Sequence, residues 1–497
     1  MDSFTSTVSS QVFYLDGYDT SCSILSIPIC YWYKNADSNS QNAFMPPEIL
    51  ERSFYKTLQE FPILAGHLKT DANSRMYIKV DKDNLNMPVY TDTCCDLDYS
   101  TMEDSGFNIN KLPVDLREGY GVPAPSGLIG GEITPAYIRV IRLKDNSGVL
   151  VFARIVHCIV DGYAYTKFMN RWAEISRWMH QPQDDEKLPL PARQYIHDRS
   201  LPTSFRSSET TALDSAMLES LSTDNIFTKW LSWISPGTRG RLVKAGSRVD
   251  YTCCFFHVSS KVLEDIRTSV QSHAPPGTRY STNDIITAYT TIAVAQAKKK
   301  ASADWWSKPI PSAIHTIFGS SQGKSAEFEV TIAVNIRPRV SHPDASNYVG
   351  NLALGKSVDV PQDLVQVEPT DEALSALALK VHQLAASADE QYYSQMGYLL
   401  ESKPDNYLRL MYSSFKNENK FGISNHSTFA HYGVDFGAGI PTMVRHAPHA
   451  FNDLCYVMPA SPITGGYVLE LKLAPDAAAN LIQDASWMKL VDRYDCY

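Results

Sequence analysis

Val149-Leu-Val-Phe-Ala-Arg-Ile-Val156, followed by His157-Cys-Ile-Val-Asp161-Gly162, is the stretch on which the fold turns. Its first eight residues are apolar except for Arg154, which predicts a buried strand, and the preceding Tyr137-Ile-Arg-Val-Ile-Arg-Leu143 alternates as a partner strand. Asp145-Asn-Ser-Gly148 supplies the turn between them, so the two strands form a hairpin. Gly162 then breaks the apolar run, and Phe168, Trp172, Ile175 and Met179 recur at helical spacing. The order strand, short turn, helix puts His157 and Asp161 where a buried strand ends, a position that aims side chains into a cleft.

Working outward, Pro46-Pro47 followed by Leu50, Phe54, Leu58 and Phe61 predicts a proline-started amphipathic helix that stops before Pro62. The second half predicts a strand over Thr252–Val258, a helix from about Ser260 and another from Thr282 to Ala297. A strand over Phe328–Ile336, an alternating strand over Tyr467–Leu473 and a last helix from Pro475 follow. Strands and helices interleave in both halves, which gives an α/β class, and no solenoid repeat is present. Between the halves, Gln181 to about Ser215 turns to Pro, Ser, Thr, Asp and Arg, the composition of a linker. The expected division is residues 1–195, a linker or crossover over 196–245, and residues 246–497.

The 497 residues carry 45 Lys+Arg against 54 Asp+Glu, a net charge of −9, so no basic field exists to hold a nucleic acid. Hydrophobic residues at 44% are enough to bury large cores. The longest apolar runs, Ile24 to Tyr33 and Val149 to Val160, fall short of the roughly 18 residues that span a bilayer. The N-terminus lacks a secretory pattern, which leads to a cytoplasmic expectation. Nine cysteines without a Cys-x-x-Cys spacing read as thiols, with no metal site.

A neutral imidazole both accepts and returns a proton near pH 7, which suits His157 to activating a hydroxyl or amine. His-x-x-x-Asp also occurs at His431 to Asp435 and His449 to Asp453, but without the strand-turn-helix setting, and reads there as structural. Gly319-Ser-Ser-Gln-Gly323 imitates a nucleophile elbow around Ser321 and falls one residue short of a phosphate loop. Strand-like sequence follows it instead of a helix, so it reads as a hairpin loop. Lys298-Lys299-Lys300 reads as a solvated helix end. Asp435-Phe-Gly437-Ala-Gly439, preceded by Gly422-Ile-Ser424-Asn425-His426, describes a loop whose glycines take positive φ.

Together these residues resemble the acyl-CoA-dependent BAHD acyltransferases in the broad sense that includes fungal members. Phe61-Pro-Ile-Leu-Ala-Gly66 is similar to the N-terminal "fyPlaGR" segment, with His67 in place of arginine, and His157 to Gly162 matches the full His-x-x-x-Asp-Gly motif. Ser281 to Asp284, Val334 to Arg339, Tyr348 to Asn351 and Asp435 to Gly439 resemble four further motifs, all in family order. The resemblance implies two similar mixed-sheet α/β domains of chloramphenicol-acetyltransferase-like type with a channel between them. It implies acyl-CoA as co-substrate, a small-molecule alcohol or amine as acceptor, no permanently bound cofactor and a monomer.

It also implies roles: His157 as general base without an acyl-enzyme, Asp161 as a structural partner of Arg337, and Ser424 as a donor to the tetrahedral oxyanion. Asp435, Gly437 and Gly439 would form a loop away from the reaction centre. Ala438 replaces the usual tryptophan there. His426 stands where plant members often carry a tryptophan of the acceptor pocket, so a plant-type phenolic acceptor does not follow. Competing readings are a condensation-type domain, which usually carries a second histidine where Val156 stands, and a non-catalytic accessory protein on the same fold.

Overall fold

The computed structural model describes residues 2–22, 25–38, 43–73, 75–117, 133–181, 193–204, 251–306, 328–366, 369–402, 419–447 and 453–497. Most of the expected crossover at 196–245, the Gly319–Gly323 loop and His449 lie outside them.

The first half supplies β1 (Ser26–Lys34), β2 (Val89–Cys94), β3 (Ala136–Arg142) and β4 (Gly148–Val156). The second half supplies β5 (Thr252–Val258), β6 (Phe328–Asn335), β7 (Ala353–Val360) and β8 (Lys420–Asn425). It continues with β9 (Met443–His446), β10 (Leu454–Pro459), β11 (Tyr467–Leu473) and β12 (Arg493–Cys496). Among the described residues these form a five-stranded sheet, β9-β1-β4-β3-β2, and a seven-stranded one, β7-β6-β8-β10-β11-β5-β12. Both are mixed: β2 runs parallel to β3, and β8 runs parallel to β6 and β10, while the other neighbours are antiparallel. A small sheet of Gln11–Tyr14, Met76–Val80 and His67–Thr70 stands apart.

The hairpin of the opening stretch forms as its residues dictate. β4 is buried along its whole length between β1 and β3, and Asp145 and Asn146 take the left-handed turn that their short polar side chains tolerate. On this sheet lie α1 (Pro47–Leu58) and α2 (Gly162–His180), locked by Trp172, whose Nε1 donates to Leu50 O at 3.1 Å and Ser53 Oγ at 3.0 Å. The seven-stranded sheet carries α3 (Ser260–Gln271), α4 (Thr282–Trp306), α5 (Asp371–Ala386), α6 (Glu390–Ser402) and α7 (Pro475–Ile482) within the second half. The start of α4 is a reciprocal cap: Ser281 N–H donates to Asp284 Oδ2 at 2.8 Å, and Asp284 N–H to Ser281 Oγ at 3.2 Å. No helix among the described residues is long and apolar enough to cross a membrane.

β9 belongs to the second half in sequence but pairs with β1, from Met443 opposite Trp32 to His446 opposite Ile29. This stitches the halves together and carries His446 to Glu470 of β11, with Nδ1 2.9 Å from Oε2.

Two expectations need correction. The lysine run does not end the helix: α4 continues to Trp306, and Lys298 pairs with Asp453 at 3.0 Å, while Lys299 and Lys300 are exposed. Cys254 and Cys496, expected as thiols, form a disulfide because β12 pairs with β5 in a register that sets them opposite each other. At a separation of 242 residues, no spacing rule reveals that pair.

Candidate active site

His157 sits just past β4, where its backbone N–H donates to Leu25 O at 2.9 Å. Asp161 is the N-cap of α2: Oδ1 accepts the Ala164 N–H at 2.9 Å and closes the first turn. Its other oxygen receives Arg337 Nη1 at 2.6 Å and Leu352 N–H at 3.0 Å. Arg337 also donates to Gly350 O at 2.8 Å and lies over the Tyr163 ring at 4.7 Å. Both oxygens of the Asp161 carboxylate are thus engaged by α2 and the second half.

A second buried ion pair, for which no local pattern exists, holds the same turn from the other side. Asp19 faces Arg199 at 3.3 Å, and Arg199 Nη2 donates to Ile159 O at 2.9 Å. Asn351 Nδ2 lies 2.8 Å from both Asp19 Oδ1 and the carbonyl oxygen of His157. The carbonyls of residues 157 and 159 are therefore both fixed, which settles where the imidazole projects.

The His157 Nδ1 is buried without a hydrogen-bond partner among the described residues. Burial opposes the imidazolium, while the Cys22 side chain within hydrogen-bonding reach, the local backbone and Asp161 favour it. The balance raises His157 to about 9.

Against this turn stand Ser424 and His426, at and just beyond the end of β8. Ser424 Oγ lies 3.1 Å from His426 Nε2. Gly162 leaves room here, since a Cβ at that position would stand 3.0 Å from His426 Cε1 and from Phe429 Cε2 and press on both rings. His426 continues into a buried row, with ring centroids 5.8 Å from His431 and 5.4 Å from His446. Burial, then the neighbouring imidazoles His446, His431 and His157, hold His426 well below the ordinary histidine range. Burial and His446 bring His431 down to about 3. Among the described residues no group of three or more His, Cys, Asp or Glu is placed to hold a metal ion.

The Asp435–Gly439 loop lies elsewhere, on the far part of α2. Asp435 Oδ1 accepts the N–H groups of Gly437 at 2.8 Å and Gly439 at 3.0 Å, and both glycines have positive φ. Phe436 packs on Trp172 with centroids 4.6 Å apart, and its carbonyl accepts from Ser176 Oγ at 2.9 Å. Ala438 is a partly buried contact of the same core.

His157, Asp161, Gly162, Arg337, Ser424 and His426 thus come together, and Asp435, Gly437 and Gly439 do not join them. Asp19, Cys22, Arg199, His446 and Glu470 were not singled out by sequence reasoning. Each reaches the site through a contact that no local pattern encodes.

The architecture is shared with solved proteins. TRI101 of F. graminearum, solved with coenzyme A and T-2 mycotoxin, superposes with a TM-score of 0.69 at 16% identity, covering 97% of this chain and 99% of its own. The first condensation domain of the calcium-dependent antibiotic synthetase superposes at 0.55 with 12% identity, over 97% of this chain and 96% of its own. In sequence, putrescine hydroxycinnamoyltransferase 1 of Oryza sativa subsp. japonica is 23% identical over 438 residues, 87% of this chain and 84% of that protein. Residues 5–83 and 312–488, just over half of the chain, match the family described as the Transferase family. The chain belongs to that family, the BAHD-type acyl-CoA-dependent acyltransferases.

Proposed function

We propose that the protein moves an acyl group from acyl-CoA directly to a hydroxyl or amine of a small-molecule acceptor, with His157 as general base and no acyl-enzyme. The observation that carries this is the His157 imidazole, its Nδ1 buried without a partner among the described residues, on a turn clamped by two buried ion pairs, with His426 against Gly162 of the same turn and 3.1 Å from the Ser424 hydroxyl. In this reading the imidazole takes the acceptor's proton as its oxygen or nitrogen attacks the thioester carbonyl. Ser424 donates to the tetrahedral oxyanion. Collapse expels the CoA thiolate, which receives the proton from His157. Acyl-CoA is a co-substrate, and neither redox chemistry nor a permanently bound cofactor is needed.

The relatives support both kinds of acceptor, since the rice protein is named for a diamine and TRI101 was solved with CoA and a mycotoxin. Val156 in place of a second histidine favours acyl-CoA transfer over the condensation reading. We further propose a cytoplasmic monomer, with residues 1–195 and 246–497 as its two domains.

Release of CoA thiol from acetyl-, malonyl- or hydroxycinnamoyl-CoA, measured across a panel of alcohols and amines, tests the activity. Direct transfer needs both substrates bound together, so initial-rate plots should intersect. Parallel lines, or an acylated cysteine or Ser321 found by intact mass, would replace this mechanism with a covalent one.

The pH profile gives a sharper test. Only the neutral imidazole is a base, so with His157 raised to about 9, kcat/KM of the free enzyme should climb from pH 7 through 9. Cys22→Ala removes the leading influence in favour of the imidazolium and leaves burial dominant, so the rising limb should move to lower pH. A limb that stays in place in Cys22→Ala shows that the thiol does not set it.

A further inference from the structure

We infer that Asn351 is the positioning residue of the general base: its side-chain amide fixes the carbonyl of His157 and so the direction in which the imidazole points. This rests on the acyl-transfer reading of the same site.

Residue 157 lies between two peptide groups, and both are tethered. Its N–H donates to Leu25 O at 2.9 Å, and its carbonyl accepts from Asn351 Nδ2 at 2.8 Å. With both peptide groups held, φ and ψ of His157 lose their freedom, and these angles decide which rotamers the ring can adopt. The first tether comes from the same half of the chain, the second from the other half. Asn351 is itself anchored on either side, since the Gly350 carbonyl accepts from Arg337 Nη2 at 2.8 Å and the Leu352 N–H reaches Asp161 Oδ2 at 3.0 Å.

Asn351 is 1% exposed. The two groups facing its Nδ2, the Arg199-paired carboxylate of Asp19 and the carbonyl of His157, only accept, so the amide has a single workable orientation and spends both N–H protons on them. Its own Oδ1 has no partner among the described residues. The two bonds differ in what can replace them. Asp19 Oδ1 keeps the Asn351 backbone N–H at 3.1 Å and Arg199 Nη1 at 3.3 Å whatever side chain stands at 351. The His157 carbonyl has no other donor among the described residues. A buried amide that leaves its oxygen unpaired is a poor stabiliser, and a pure packing role would suit an apolar residue better. What the amide supplies is direction, at the one residue whose ring must meet the acceptor's proton.

The test is Asn351→Leu in the full chain, which keeps much of the shape and removes both donors. The expected result is a fall in kcat of about 100-fold, the cost of roughly 1 Å of misplacement, with KM for acyl-CoA unchanged. Magnetic resonance reads the ring directly. In protein labelled with carbon-13 at histidine Cε1, the His157 signal, assigned by its loss in His157→Ala, should shift or split in Asn351→Leu. If leucine prevents folding, judged by thermal melts, the smaller Asn351→Ser carries the same measurements with the same expected directions. A folded variant that loses stability but keeps kcat, or whose His157 signal stays in place, overturns the inference and leaves Asn351 a structural residue. The signal also separates the inference from the acyl-transfer reading. If His157→Ala turns over normally, or no acceptor releases CoA, that reading fails, and the inference then stands on a displaced signal and falls on an unmoved one.

Discussion

Alanine at position 157 is expected to lower kcat by roughly 100-fold to 10,000-fold, the range for losing a positioned general base. The protein should stay folded and keep its melting temperature, because the turn does not depend on the imidazole. The backbone of residue 157 is held by Leu25 O and by Asn351, that of residue 159 by Arg199, and the first turn of α2 by Asp161. KM for acyl-CoA should change little, since the imidazole acts on the acceptor's proton. Steady-state rates with matched thermal melts decide the matter, and near-normal turnover in a folded His157→Ala protein would sink the mechanism.

The parts of this picture that could be read from the sequence are those written in consecutive residues. The hairpin, the His157 turn and α2 follow from patterns within a window of about 45 residues, and β5, α3, β11 and α7 from similar local signals. α4 runs on to Trp306, past its expected end, because three lysines suit a helix interior as well as a last turn, and the pairing of Lys298 with Asp453, 155 positions away, has no local signal. β1 drew notice only as an apolar run too short for a membrane, although it is a buried strand beside β4. β9 is four residues long, and its sheet is chosen by backbone pairing with β1, not by its own pattern.

The site divides in the same way. His157, Asp161 and Gly162 announce themselves, whereas Arg337 as the partner of Asp161 follows from resemblance alone. The structure sets Arg337 on Asp161, whereas Arg339 donates to Ala388 O at 3.0 Å. Asp19 and Arg199 are separated by 180 residues, and Glu470 reaches His446 through sheet register, so both needed the assembled chain to become visible. His431 was set aside for lacking the right flanks, yet tertiary packing brings its ring beside His426.

The second large effect is on stability. Asp161 and Arg337 have side chains 1% and 3% exposed, 2.6 Å apart. Removing either one leaves the other charge in a low-dielectric setting, which typically costs about 3 to 5 kcal/mol. Asp161→Ala should cost more than the charge alone suggests, because it also strands the Leu352 and Ala164 N–H groups. Arg337→Ala should instead release the carbonyl of Gly350 and the face of Tyr163.

Both variants are therefore expected to melt well below the wild type and to lose activity in proportion to the turn's displacement. Arg339→Ala, outside this network, should be milder. A double change of Asp161 and Arg337 to Leu and Met separates charge from shape. With no charge left unpaired, it should recover part of the stability lost by either single variant, but not the activity, since the α2 cap is gone. If Asp161→Ala melted like the wild type while losing all turnover, the aspartate would belong to the chemistry, and an imidazole-orienting dyad would become the better account. The present geometry argues against that outcome: the carboxylate already accepts from Arg337, Leu352 and Ala164, and His157 is not among its partners.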